Sequence, residues 1–311
     1  MSFKQVIAAT VASLLLTAGA ASAADPESCK EVHFSDVGWT DIQATTGIAT
    51  AILKGLGYEP RVDVLAVPVT YQSLKNKDID VFLGNWMPSM TGDVKPFLDD
   101  KSVEQSSVNL EGAGYGLVVP KYVADGGVKS LADLNKFKEK FDGKIYGIEA
   151  GNDGNRIVQG FIDDAKNNLK DWELVESSEQ GMLAQAEKFM ADKEWIVFLG
   201  WTPHPVMGKM DLVYLDGMGD SGFGSATVYT NVRAGYTGEC PNVGKLLSNL
   251  KFDLATEGAI MDTILAQGKD GETAATEWLK ANPGPLDAWL AGVTTFDGKD
   301  GLPAVKASLG L

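Results

Sequence analysis

A chain of 311 residues, 44% of them hydrophobic, can bury a core large enough for two lobes of ordinary domain size. Its formal net charge of −15 makes nucleic acid and anionic membrane surfaces poor partners and mildly favours cationic solutes. Composition excludes little else, and low-complexity stretches and linkers are absent.

The chain opens with Lys4, an apolar stretch from Val6 to Ala18, and Ala21-Ser22-Ala23, which together read as a secretory signal peptide over 1–23. The stretch is shorter than the ~20 residues a membrane-spanning helix needs, and no other segment reaches that length. No cysteine stands at the cleavage point, so lipid attachment is excluded there. The mature chain is expected to begin near Ala24 and to diffuse freely in the periplasm. Loss of the segment, with its single Lys4, moves the net charge from −15 to −16. Cys29 and Cys240 both fall in the mature part. An oxidising compartment favours pairing them, with two buried free thiols as the alternative.

Short apolar, β-branched runs predict strands at 31–37, 61–67, 79–84, 144–149, 172–176, 195–200 and 211–215. Amphipathic segments lie between them, as at 41–56, where Ile48, Ile52 and Leu56 share a face and Gly57 supplies the stop. An alternating strand at 226–232 leads into a helical tail from Pro241 onward. This is an α/β chain. A Cys29 to Cys240 bridge would require the tail to rejoin the start, so one lobe is expected to be discontinuous, 24–114 plus 225–311. The other is expected over 115–224, and two crossings between them make a hinge.

Two internal echoes sharpen this. Val81-Phe82-Leu83-Gly84-Asn85-Trp86-Met87-Pro88 parallels Val197-Phe198-Leu199-Gly200-Trp201-Thr202-Pro203, and Gly38-Trp39-Thr40-Asp41 more loosely parallels Gly151-Asn152-Asp153-Gly154. In open α/β sheets ligands sit beyond the carboxyl ends of strands, beside helix N-termini. Trp39, Trp86, Asn152 and Trp201 all fall there. The three tryptophans stand beside glycine or proline, which predicts exposed loop tops facing each other across a cleft, whereas Trp195 reads as a strand residue, Trp278 as a helix-face residue, and Trp172 and Trp289 as packing.

Catalytic readings fail. Gly219-Asp220-Ser221-Gly222-Phe223 looks like the nucleophile segment of trypsin-like proteases, yet their histidine motif is missing. His33 and His204 lack metal-ligand spacing. The run Gly112-Ala113-Gly114-Tyr115-Gly116 lacks the dinucleotide fingerprint, and Asp297-Gly298-Lys299-Asp300-Gly301 places a lysine where a calcium loop needs an acid. No enzyme, cofactor or metal is expected.

A quaternary ammonium cannot donate a hydrogen bond, whereas the negative faces of tryptophan and tyrosine attract it. In Val37-Gly38-Trp39-Thr40-Asp41, Gly84-Asn85-Trp86-Met87-Pro88, Gly151-Asn152-Asp153-Gly154-Asn155-Arg156, Ser177-Ser178-Glu179-Gln180-Gly181-Met182 and Gly200-Trp201, the chain resembles the periplasmic choline-binding proteins of ABC importers. The resemblance covers nearly all of the mature chain. It implies a two-lobed type II binding-protein fold of the Venus-flytrap kind, each lobe a mixed sheet flanked by helices, and a Cys29–Cys240 disulfide. It also implies an aromatic box of Trp39, Trp86, Tyr115 and Trp201, with Asp41 as counter-charge and Asn152 at the hydroxyl end. The implied partners are choline, acetylcholine as a weaker ligand, and an ABC transporter permease in the inner membrane, with the protein acting as a monomer. Glycine betaine or proline betaine is the alternative ligand, and Arg156 is the candidate donor to its carboxylate.

Overall fold

The computed structural model describes residues 25–311. The expected signal peptide, 1–23, lies outside them. Among the described residues, no helix is long and apolar enough to cross a membrane.

Nine strands are β1 (Glu31–Asp36), β2 (Glu59–Val64), β3 (Val81–Met87), β4 (Val103–Pro120), β5 (Lys144–Tyr146), β6 (Glu173–Val175), β7 (Phe198–Thr202), β8 (Leu212–Tyr214) and β9 (Gly224–Arg233). Their order is β2-β1-β3-β9-β4-β7-β5-β6, with β8 paired to the end of β4. β1 pairs in parallel with β2 and β3, and β5 with β6 and β7, as the helices between them require. The pairs that β9 makes with β3 and β4, and that β4 makes with β7 and β8, are antiparallel. The sheet is therefore mixed, with the expected α/β character.

β4 and β9 hold the molecule together. β4 runs beside β9 from Val103 to Tyr115 and beside β7 and β8 from Gly114 to Pro120. It carries the chain from the β1–β3 group to the β5–β8 group, and β9 carries it back. β4 was absent from the sequence expectations. Its polar and glycine residues break the alternation, and three register shifts against β9 absorb the mismatch as bulges. The glycine run Gly112 to Gly116 is part of this strand.

The tail does rejoin the start. Cys29 and Cys240 are bonded, with Cα atoms 5.7 Å apart across 211 residues of sequence. In the chain-entropy model a loop of that length is worth ~5 kcal/mol.

Element ends differ from the sequence reading where the tryptophans lie. β3 runs on to Met87 and β7 starts at Phe198, so Trp86 and Trp201 are strand residues, buried at 4% and 5% exposure, not exposed loop tops. Trp195 falls outside β7 and packs on Phe137 and Phe141, with the Lys140 ammonium 4.0 Å from its ring centroid. The helix expected over 41–56 spans Thr40–Gly55 and is buried on nearly every side.

Candidate functional site

Each element delivers its side chain to one place for a local reason. After β1, Gly38 turns the chain at φ 85°, its N–H donating to Asp36 Oδ1 at 2.6 Å, and the helix Thr40–Gly55 starts at once. After β5, Gly151 repeats the turn at φ 84° and the helix Asp153–Asp163 follows. A side chain at either glycine would be strained, because positive φ disfavours a Cβ. Trp39 and Asn152 are the residues before these two helices, and Trp86 and Trp201 arrive on β3 and β7.

The result is a pocket lined by Trp39, Asp41, Trp86, Tyr115, Ile148, Asp153 and Trp201. Five of the six expected residues are in that wall, and no basic side chain is. Tyr115 sits between two tryptophans, its ring centroid 6.1 Å from that of Trp86 and 6.2 Å from that of Trp201. Phe223 closes on it edge-on at 5.0 Å. The Tyr115 hydroxyl reaches over Gly154, where an added Cβ would lie 1.9 Å from its oxygen, so only glycine admits this position.

Asn152 is the expected residue that the wall lacks. Its Oδ1 accepts from the Asn155 N–H at 3.1 Å, as a helix cap should, and from the Tyr115 hydroxyl at 3.3 Å, while its Nδ2 donates to Asp153 Oδ1 at 3.1 Å. It fixes Tyr115 and Asp153 from behind. Arg156 does not reach the cavity either. It is paired with Asp93 at 2.6 Å and donates to the Ser89 carbonyl at 3.1 Å.

The tryptophan N–H groups are treated unequally. Trp86 Nε1 donates to Asp41 Oδ2 at 3.1 Å and Trp39 Nε1 to Glu149 Oε1 at 2.9 Å, whereas Trp201 Nε1 is buried with no partner. Asp41 Oδ1 and Asp153 Oδ2 are likewise buried without a partner.

Carboxylates crowd this end of the protein. Glu179, the first residue of the helix Glu179–Ala191, accepts from the Thr40 N–H at 2.8 Å, from the Thr40 hydroxyl and from His204 Nε2 at 3.2 Å. It caps a helix whose own preceding residue, Trp39, offers no side-chain cap. Burial, reinforced by the charge of Glu179, pushes the Asp41 carboxyl up to about 8. Burial pushes Asp36 to about 6 against the opposing Gly38 hydrogen bond. Burial and then the charge of Asp41 hold Glu257 well above the usual carboxylate range. Asp153 is raised to about 6 by burial, opposed by the nearby Ser89 hydroxyl, whose own proton points to the Trp86 carbonyl at 3.2 Å. The pocket is thus lined by four aromatic residues, Ile148 and two carboxyl groups that burial pushes up, with no basic side chain among them.

Sequence reasoning missed Ile148, Asp153, Glu179, His204 and Phe223 as parts of this site. Asp153 and Glu179 stood inside the segments that carried the family resemblance, but their roles depend on partners far away in sequence.

Residues 30–281 match the family model described as the substrate-binding domain of an ABC-type glycine betaine transport system, OpuAC. The chain belongs to this family. It is a substrate-binding protein of ABC transport, not an enzyme. It is 56% identical to an ABC-transporter choline-binding protein solved with choline, covering 92% of this chain and all of that one with a TM-score of 0.89. The same description in an unliganded, semi-closed conformation matches at 57% identity over 92% and 100% of the two chains, with a lower TM-score of 0.83. Lactococcal OpuAC, closed on glycine betaine, is 29% identical over 83% of this chain and 98% of its own, with a TM-score of 0.76. The binding protein thus has the two-lobed type II architecture.

Proposed function

We propose that this binding protein captures choline in the aromatic cavity and delivers it to the permease of an ABC importer, working as a periplasmic monomer once residues 1–23 are removed. The observation that carries the reading is one pocket lined by four aromatic residues together with a buried carboxyl, Asp41, that has an oxygen left without a partner. Trp39, Trp86, Tyr115 and Trp201 present ring faces to the trimethylammonium group, each worth about 0.5–2 kcal/mol when desolvated. Micromolar binding needs about 8 kcal/mol, so the rings alone fall short and Asp41 and lobe closure supply the remainder. Asn152 acts from behind, holding Tyr115.

The lobes are 24–114 plus 225–311 and 115–224, a division supported by the pairing of β4 with β9, which ends at Tyr115 opposite Gly224. Contacts that tie the closed lobes then include Glu179 to Thr40, Trp39 to Glu149, Arg156 to Asp93 and to the Ser89 carbonyl, and Lys209 to Asp262. Acetylcholine, whose ester enlarges the far end, is a weaker ligand. Betaines carry a carboxylate, and this cavity meets it with two carboxyl groups and no basic side chain, since Arg156 is engaged elsewhere.

Asp41→Asn tests the counter-charge. It is expected to weaken choline binding about tenfold or more, as for loss of a buried ionic partner, and to narrow the gap between choline and glycine betaine. A variant titrating with the wild-type preference would contradict the assignment.

A further inference from the structure

The helix Thr40–Gly55 brings two residues to the pocket wall, Trp39 just before it and Asp41 in its first turn. A helix start leaves several N–H groups without partners inside the helix, and Trp39 offers no side chain to take one. The acceptor comes from the other lobe. Glu179, 139 residues away in sequence, takes the Thr40 N–H on Oε2 at 2.8 Å and the Thr40 hydroxyl on Oε1. Parting the lobes therefore strips the helix that carries Trp39 and Asp41 of its cap.

His204 holds Glu179 from its own side. The Val206 N–H donates to His204 Nδ1 at 3.2 Å, which places the ring proton on Nε2, and Nε2 donates to Glu179 Oε1 at 3.2 Å. The same ring stands edge-on to Trp201, with centroids 4.9 Å apart. Thr40, Glu179 and His204 are 0%, 1% and 2% exposed, so these bonds are sheltered from competing water while the lobes are together. None of the three lines the pocket. Two ion pairs between the lobes are of another kind. Lys209 with Asp262 and Arg156 with Asp93 leave their basic side chains about half exposed, where solvent screens them.

We propose that Glu179 and His204 are positioning residues that latch the closed lobes, and that they set how long the ligand is held rather than which ligand is chosen. The proposal rests on the choline reading and the lobe division above. The bonds to Thr40 exist only with the lobes together, so they weight the closed form against the open one. Ligand enters before they form and leaves after they break. Their strength therefore enters the rate of release and not the rate of capture. Closing completes the helix start as Trp39 and Asp41 are brought against Trp201, which couples the latch to the assembled wall.

The test follows choline binding to the full mature protein by stopped-flow tryptophan fluorescence. Glu179→Ala is expected to speed release about thirtyfold or more, with the capture rate and the choline-to-acetylcholine affinity ratio each within about threefold of wild type. That variant also removes a charge that bears on Asp41, so the others leave the Glu179 carboxyl in place. Thr40→Val, which keeps the side chain's shape and the backbone bond, is expected to speed release about fivefold, and His204→Ala by about as much. His204→Gln, whose amide N–H can stand in for Nε2, should stay within about twofold of wild type. Release unchanged in both Thr40→Val and His204→Ala overturns the proposal even where Glu179→Ala does not fold. So does a loss confined to the capture rate, or a changed ligand ratio. Glycine betaine takes the place of choline in the same measurements if wild-type protein prefers it, so failure of the choline reading leaves the latch open to the same test.

Discussion

The ends of β3 and β7 are two versions of one design, and their differences are more informative than their likeness. Each follows a buried Phe-Leu-Gly run with a tryptophan in the cavity wall and an X-Pro step. Trp86 is anchored by its N–H to Asp41, whereas Trp201 is held by packing, with Tyr115 at 6.2 Å and His204 at 4.9 Å edge-on and its N–H unpaired. One strand end therefore supplies a ring and orients the counter-charge, and the other supplies a ring alone.

The largest expected effect follows from that inequality. Trp86→Ala removes a ring face and leaves Asp41 with neither oxygen bonded, so choline affinity should fall about a hundredfold or more. Trp201→Ala, losing the ring face alone, should cost about tenfold to thirtyfold. Calorimetry giving equal losses would remove the distinction between the two strand ends.

Replacement by phenylalanine sharpens the comparison by keeping a ring at each position. Trp86→Phe should weaken choline about tenfold through the lost hydrogen bond to Asp41, and Trp201→Phe by about threefold or less, because the indole N–H there has no partner to lose. The reverse order would show that ring area, not the Asp41 contact, separates the two.

A pH dependence enters through Asp41. The groups facing it are Asp36 on β1, Glu179 and Glu257 from two packed helices, and the Trp86 N–H; every charged one is a carboxylate. With its carboxyl raised to about 8, Asp41 is protonated in the empty cavity at neutral pH. A bound cation favours the charged form, so binding releases a proton and affinity rises with pH up to about 8, by at most about tenfold per unit, then levels off. For the empty protein the sign is opposite. The folded state binds the proton more tightly than the unfolded chain, so this group's contribution to stability is lost as pH rises from the ordinary carboxylate range toward about 8. A binding profile flat between pH 6 and 8 would contradict both.

Much of the site was legible in the sequence because it is repeated there. The echo of β3 in β7 placed Trp86 and Trp201, and the two glycine turns placed Trp39 and Asn152, each at the carboxyl end of a strand. The structure has these residues at strand ends and helix starts too, but buried, since burial depends on what packs across them. β4 escaped notice because bulges let an irregular run of serine, glutamate and glycine pair along its whole length. Glu179 escaped because the helix start that it caps lies 139 residues away, and Asp153 because an unpaired oxygen is visible only once every neighbour is in place. Arg156, the candidate donor to a carboxylate ligand, is engaged by Asp93, a partner 63 residues away in sequence.

The account stands or falls on what the cavity prefers. A side-by-side calorimetric titration of wild-type protein with choline, acetylcholine, glycine betaine and proline betaine tests this most directly. Choline should bind most tightly, acetylcholine more weakly, and both betaines weakest, because the wall offers aromatic faces and carboxylates but no basic side chain. Tighter binding of either betaine than of choline would contradict the account.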